Sequence, residues 1–408
     1  MEIKTRIAEF LYQGINDWNV SPLFNLSLVD RTFAKICRPL NWKKLDLCGE
    51  NLDRLKQLFD EVLPNQAPFV RQIDMKVFMC NLPLITYLEP SSSDREARVI
   101  EESYSTELSK ILQVCKNVER LDAILEPAPL DDRGDLMGLY PTSKVLKPIS
   151  ALCGLTFLKL QPCEEYHFTE QFLVSLIKDM PYLRTFCCES IPAAYPFCDF
   201  CKCERSTAAF PSPLGVHLAS LSSLRYLELN FADCFDSSWC KIPWEGALKG
   251  IKLGSCDRAS FWALYDFYVL FKDSLEDLSI IDMPFESGYE NTDQILSESY
   301  SKNCLFSLPR LRRLLISNSA PIDFVAMFRE CRHIQLISLK KNEVLSFQDI
   351  KGLIDSAIWK EMKQFTVNAD KYGLNSAEIV GLLNCNSSSK ADVSVELIFQ
   401  DESEQDLL

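Results

Sequence analysis

Five cysteines, Cys187, Cys188, Cys198, Cys201 and Cys203, crowd one stretch of this 408-residue chain. Four thiolates close a tetrahedral zinc site when they converge, and Cys198-x-x-Cys201 has the spacing of a zinc knuckle. No second C-x-x-C follows at finger spacing, and Cys188 falls where a periodic pattern, described below, calls for core. A lone C-x-x-C is a weak signal, so the expectation is a chain with no metal and no cofactor. Catalytic signatures are equally thin. The three histidines, His167, His217 and His333, lie at no metal-ligand spacing from one another. There is no G-x-S-x-G, no phosphate-cradling glycine loop and no H-E-x-x-H, and glycines number only 13. The residues read as those of a protein that is not an enzyme.

The 17 cysteines are odd in number and scattered, many at apolar positions. That is the usage of free cysteine as a small hydrophobe in a reducing compartment. A net charge of −14 argues against nucleic acid or an anionic membrane as the main partner, since both reward clustered Lys and Arg. The longest apolar run, FWALYDFYVLF from Phe261, is too short to span a bilayer and contains Asp266. The expected location is the cytoplasm or nucleus.

What organises the chain is repetition. Eleven stretches share the form apolar-x-x-apolar-x-apolar, with central residues Leu45, Ile73, Leu121, Leu158, Phe186, Leu227, Ile251, Leu278, Leu314, Ile337 and Phe365. The last two apolar positions alternate with polar ones, the period of a strand with one buried face. The central residues recur, by subtraction, every 23 to 48 residues. The shorter intervals match leucine-rich repeats of about 20 to 29 residues, and the longer ones read as the same unit carrying an insertion.

Helical patterns at Leu52–Val62, Glu107–Cys115, Thr169–Met180, Ala259–Phe271, Asp323–Cys331, Phe347–Ile358 and Ser376–Leu383 fall between the strands. Strand then helix, repeated, predicts an α/β leucine-rich-repeat solenoid over residues 42–400, with a curved parallel sheet on the concave face and helices outside. Insertion loops are expected at about 90–106, 126–148, 191–213 and 285–303. The stretch VSVELIF from Val393 is expected to cap the array, ahead of an acidic tail at 401–408.

Residues 1–41 differ from the rest. Ile3, Ile7, Phe10 and Leu11 share a helical stripe. Ser21-Pro22 reads as a helix start, opening a run with Leu23, Leu26, Val29, Phe33 and Ile36 on one side, which Pro39 is expected to stop; the block should hold two or three helices. This block resembles an F-box. Glu2 and Ile3 match the opening of that motif, and Ile7 with Leu11 its apolar stripe. Leu26, Leu28, Val29, Arg31 and Phe33 match its second element, and Pro39, Trp42, Leu45 and Leu47 its third. The Leu-Pro that precedes x-Glu-Ile in the family has no counterpart ahead of Met1, a departure that bears on adaptor affinity rather than on fold.

Joined to the repeats, the block makes the chain similar to F-box/leucine-rich-repeat proteins of the fungal type. The resemblance implies a small all-α domain that docks on a Skp-type adaptor and cullin complex. Glu2, Ile3, Ile7, Leu11, Pro22, Leu26, Leu28, Val29 and Phe33 would be its contacts. The repeats would hold a target protein for ubiquitin transfer by another enzyme. Two alternatives stand beside it: an amphipathic cap on the first repeat, and a repeat scaffold that binds a partner without an adaptor.

In either case the polar positions of each strand face outward. Phe157, Lys159, Tyr226, Glu228, Asp277, Arg313 and Leu315 are the candidate target contacts. Phe157, Tyr226 and Arg313 are the preferred anchors, because aromatic and Arg side chains concentrate interface energy.

Overall fold

The repeated motif folds as a strand each time it occurs. The computed structural model describes residues 2–13, 22–77, 92–125, 143–162, 167–192, 211–259, 261–282, 305–317, 322–340, 348–349, 352–353, 358–368 and 394–398. These fall in two compact units, Met1–Ser190 and Ile191–Leu408.

In the first unit, β1 (Lys44–Asp46), β2 (Gln72–Lys76), β3 (Arg120–Leu125), β4 (Phe157–Pro162) and β5 (Thr185–Ile191) pair in parallel, in chain order. Their register aligns the predicted centres: Leu45 opposite Ile73, then Leu121, Leu158 and Phe186. The second unit repeats the arrangement with β6 (Tyr226–Ala232), β7 (Gly250–Gly254), β8 (Asp277–Ile281), β9 (Arg313–Ser317), β10 (Leu336–Lys340) and β11 (Gln364–Asn368). Leu227, Ile251, Leu278, Leu314, Ile337 and Phe365 again stand opposite one another. All eleven centres are buried, none more than 6% exposed. The stretch expected to cap the array is β12 (Ser394–Ile398), a further parallel strand with Val395 opposite Phe365.

One hydrogen-bonding joint recurs at the start of the strands. Among the described residues, the carbonyl two residues before nine of the eleven centres accepts two consecutive N–H groups from the next repeat. Lys43 accepts from Arg71 and Gln72, Arg71 from Glu119 and Arg120, Glu119 from Thr156 and Phe157, and Thr156 from Arg184 and Thr185. In the second unit Arg225, Lys249, Glu276, Arg312 and Gln335 do the same, all at 2.7–3.1 Å. Ahead of most strands the first apolar residue of the motif closes a tight turn, as in Leu155 N–H to Leu152 O, Leu183 to Met180, and Leu311 to Leu308. The turn brings a further apolar side chain, three residues earlier, into the core: Ala67, Cys115, Leu152, Met180, Leu221, Leu308, Cys331 and Trp359 are all buried.

The strand ends also repeat. Gly49, Ser190, Phe231, Ser255 and Asp282 each lie four residues past a centre, with φ between 43° and 75°. The left-handed kink turns the chain back over the core, where the next residue is buried at Ile191, Ala232 and Cys256.

Helices return the chain between parallel strands, which a short hairpin cannot join. In the first unit α4 (Leu52–Gln57), α6 (Ser92–Val114), α7 (Ser143–Ser150) and α8 (Glu170–Ile177) pack as successive neighbours, with α5 (Leu63–Gln66) beside the π-helical turn Leu58–Val62 that follows α4. Asn51 and Thr169 cap α4 and α8 through side-chain oxygens. In the second unit α9 (Pro213–Ala219), α10 (Phe261–Leu270) and α11 (Ile322–Ala326) serve this role. The apolar run from Phe261 is hydrophobic all round because it is core: Ala263, Leu264, Phe267, Tyr268 and Phe271 are buried. Phe267 meets Phe235, Trp244 and Phe271 edge-on, with ring centroids 5.1–5.5 Å apart. Among the described residues no helix is long and apolar enough to cross a membrane.

Several local expectations are corrected. Residues 92–106, read as an insertion loop, form the first part of α6; their Glu, Arg and Ala favour helix but carry no apolar stripe to signal it. Residues 143–148, assigned to the next insertion, begin α7. Pro39 does not stop its helix, since α3 (Arg31–Asn41) runs two residues past it. A proline in a last turn forfeits one N–H bond and no more. Of the two or three helices expected in residues 1–41 there are three among the described residues, because the Asp30 side chain accepts from Thr32 and Phe33 N–H and caps a new helix. Residues 126–142, 193–210 and 285–303 of the expected insertions, the helix at Ser376–Leu383, most of Phe347–Ile358 and the 401–408 tail lie outside the described residues.

Leu227 tests the register. A charge at this buried centre is expected to cost about 3–5 kcal/mol or more, the lost packing compounded by an unpaired carboxylate. Leu227→Asp should therefore lower the melting temperature sharply, and an unchanged melting curve would remove Leu227 from the core.

Candidate partner-binding surface

Because successive centres stand in register, the polar residues beside them form rows across each unit's sheet. In the first unit one row holds Lys44, Gln72, Arg120, Phe157 and Thr185. The neighbouring row holds Asp46, Asp74, Asp122, Lys159 and Cys187. On β1 and β3 a cation and an anion lie two residues apart along the strand, and charges also pair between rows. Lys44 reaches Asp74 at 2.5 Å, and Gln72 donates to the same carboxylate at 3.0 Å. The Arg120 guanidinium lies 3.4 Å from the centre of the Phe157 ring. Phe157 is therefore half-buried beneath a cation, and the two present a single stacked surface. Gln161 bonds Glu189 at 3.0 Å on the next row.

Burial, and then the neighbouring Asp74, raise the carboxyl of Asp122 against the opposing pull of Lys159 and Arg120. Its ionised form is disfavoured by folding.

The second unit's rows differ in chemistry. Tyr226, Gly250, Asp277, Arg313 and Leu336 form one, and Glu228, Lys252, Ser279, Leu315 and Ser338 the next. Arg313 is ion-paired with Asp277, which holds the guanidinium pKa above its ordinary value. Lys252 meets Glu228 at 2.6 Å. Tyr226 is exposed and lies across Gly250, where any Cβ would collide with its ring. Asn230 covers Gly254 in the same way. The two glycines are thus what allows β6 side chains to lie flat over β7. Leu315 and Leu336 are half-buried, while Ser338 and Thr366, in outward positions, are 5% exposed.

The N-terminal helices carry a second, apolar surface. α1 (Glu2–Gln13), α2 (Pro22–Ser27) and α3 share a small core of Ala8, Phe33 and Cys37, with Leu26, Ile36 and Leu40 packed against it. Lys4 bonds the Asp30 cap, and its ammonium lies 4.6 Å from the Phe33 ring centre, which ties α1 to the start of α3. Of the predicted adaptor contacts, Phe33 and Leu26 belong to that core. Ile3 and Ile7, one turn apart on α1, are 76% and 42% exposed, and Leu28 and Val29 are 70% and 67% exposed in the turn before Asp30. Glu2 is exposed and paired with Arg6. Leu11 and Pro22 lie on α1 and α2, with side chains outside the described residues. Arg38 links α3 onward through hydrogen bonds to the Gln66 side chain and the Asn65 carbonyl.

The cysteine cluster offers little to either surface, since even Cys187, in an outward row, is buried. Cys187 and Cys188 are buried in β5, and Cys198, Cys201 and Cys203 lie outside the described residues. Burial raises the Cys188 thiol well above its ordinary value and pushes Cys115, Cys256 and Cys331 up to about 12. A thiol so held is a poor nucleophile and a poor metal ligand. Among the described residues no group of three His, Cys, Asp or Glu converges with metal-ligand geometry.

Sequence reasoning missed Lys252, Gly250 and Gly254. Each occupies an outward position of a recognised strand, so register was the signal that would have found them.

No family model and no curated protein matches the chain. A solved structure, the crystal structure of the Rad7 and Elc1 complex in yeast, aligns with 97% of this chain and 92% of its own at 12% identity and a TM-score of 0.40. An overlap so loose leaves the fold resting on its own strand register. That register defines a parallel-sheet repeat protein of the leucine-rich type.

Asp122 gives the surface a pH signature. Its folded pKa lies above the ordinary 3.8, so its charge destabilises the fold progressively as pH rises past that value. Asp122→Asn is expected to raise the melting temperature modestly at pH 7 and leave it unchanged at pH 3. A lower melting temperature at pH 7 would show that Lys159 and Arg120 prevail.

Proposed function

We propose that this protein is a substrate-recognition subunit of a ubiquitin ligase of the Skp–cullin–F-box type. In this reading the N-terminal helices engage a Skp-type adaptor in the cytoplasm or nucleus. The repeat units hold a target protein, and an associated enzyme carries out ubiquitin transfer. The chain itself has no catalytic role.

The observation that carries the proposal is the exposure of Ile3 and Ile7 on α1 and of Leu28 and Val29 in the turn before α3, beside a helical core that closes without them. A helical cap serving only to seal a solenoid would bury such side chains against the next repeat. Their display to solvent supports a protein partner. The outward rows, with both signs of charge and aromatic side chains interleaved, support a second protein partner on the sheet. The acidic net charge favours neither nucleic acid nor an anionic membrane.

Leu28 offers a clean test because it is exposed. Leu28→Asp should leave the melting temperature unchanged and weaken capture of a purified Skp-type adaptor at least about tenfold, by burying a carboxylate in an apolar interface. Undiminished capture would overturn the docking assignment. A wild-type protein that retains no adaptor on co-purification would be a repeat scaffold instead.

A further inference from the structure

Phe231 is the most unusual residue of the described sheet. It sits four residues past the centre of β6, where the chain takes its left-handed kink, with φ of 51°. The equivalent positions hold Gly49, Ser190, Ser255 and Asp282. Glycine adopts this backbone freely, and small polar residues tolerate it, but a bulky aromatic is a genuine outlier there. Such strain is retained where surrounding structure or function demands it. Packing does not demand it here, because the Phe231 side chain is 60% exposed.

Its surroundings are anionic. Asp233 follows on the same turn, and its field, like that of Asp257 on the next repeat, reaches the buried Cys256 thiol between them. Asp282 occupies the corresponding kink of β8, two strands along and so roughly 10 Å away. Asp257 and Asp282 are exposed, Asp233 is half-buried, and Arg258 lies beside Asp257; among the described residues of these turns carboxylates outnumber cations.

We propose that this edge of the second unit binds a Lys- or Arg-bearing segment of a partner protein. A cationic side chain would stack on the Phe231 ring while the carboxylates neutralise its neighbours. The inference rests on the reading that the repeat units hold a target protein, and it adds the chemistry of that target.

The test uses the full-length protein and a fluorescein-labelled peptide of three Gly-Arg-Gly-Lys repeats, read by anisotropy at about 0.15 M salt. The matching Gly-Glu peptide serves as counter-probe. Wild type should bind the cationic peptide and not the acidic one. Phe231→Gly should weaken binding about tenfold or more while its melting temperature holds or rises, because glycine relieves the kink. Phe231→Trp should retain binding, and Tyr182→Ala, at another exposed aromatic, should not affect it.

No binding by wild type, equal binding of the acidic peptide, or full binding by Phe231→Gly would each overturn the proposal; the last would mark attraction to net charge alone. A lower melting temperature for Phe231→Gly would also overturn it by making the ring structural. Adaptor capture should be intact in Phe231→Gly. Loss of peptide binding with adaptor retained therefore separates this inference from the ligase reading, and wild type that binds peptide but no adaptor would sink only the latter.

Discussion

A single backbone carbonyl accepting two N–H groups from the following repeat is the joint on which this protein is built. Parallel strands slide past one another unless something fixes their start, and a slip of one residue would turn every core side chain outward. The joint recurs at Lys43, Arg71, Glu119 and Thr156 in one unit and at Arg225, Lys249, Glu276, Arg312 and Gln335 in the other. It pins each strand two residues before its central apolar side chain. The tight turn ahead of it and the left-handed kink behind it then set how much chain each rung consumes. Insertions of very different length are tolerated because they fall outside that bracket.

Fixed register has a chemical consequence on the outer face. Side chains from successive repeats are stacked at strand spacing, so charge there is organised in rows rather than scattered. In the first unit a row with Lys44 and Arg120 borders a row with Asp46, Asp74 and Asp122, and Lys44 pairs with Asp74 across them. In the second unit, glycines at 250 and 254 let Tyr226 and Asn230 lie flat over the adjacent strand. A partner would meet pre-paired charges and pre-placed rings, which reduces the side-chain ordering lost on binding. The buried thiols, raised by desolvation, contribute packing to this arrangement and little reactivity.

The two exposed features without a folding rationale lie at different places in the fold. Ile3, Ile7, Leu28 and Val29 surround a helical core that closes without them. Phe231 displays an aromatic ring from a backbone conformation that glycine would occupy at less strain. Natural sequences depart from local consistency chiefly where function requires it, so both departures support recognition of other proteins.

All eleven strand centres could be read from the sequence, because alternation of apolar and polar residues follows directly from one buried face and recurs in every repeat. Which adaptor candidates are exposed (Ile3, Ile7, Leu28, Val29) and which serve the helices' own core (Leu26, Phe33) was not legible, and the helix boundary at Asp30 emerged only from its cap. The first turns of α6 escaped because an amphiphilic signal requires an apolar stripe, and they have none, whereas its second part, from Glu107, reads as helix. The covering of Phe157 by Arg120, the flattening of Tyr226 over Gly250 and the kink at Phe231 were invisible for a common reason. Each depends on what stands across the strand, tens of residues away in sequence, and that neighbour exists only once register is set. Periodicity alone determined which residues go inside; the tertiary structure decided which outward residues meet.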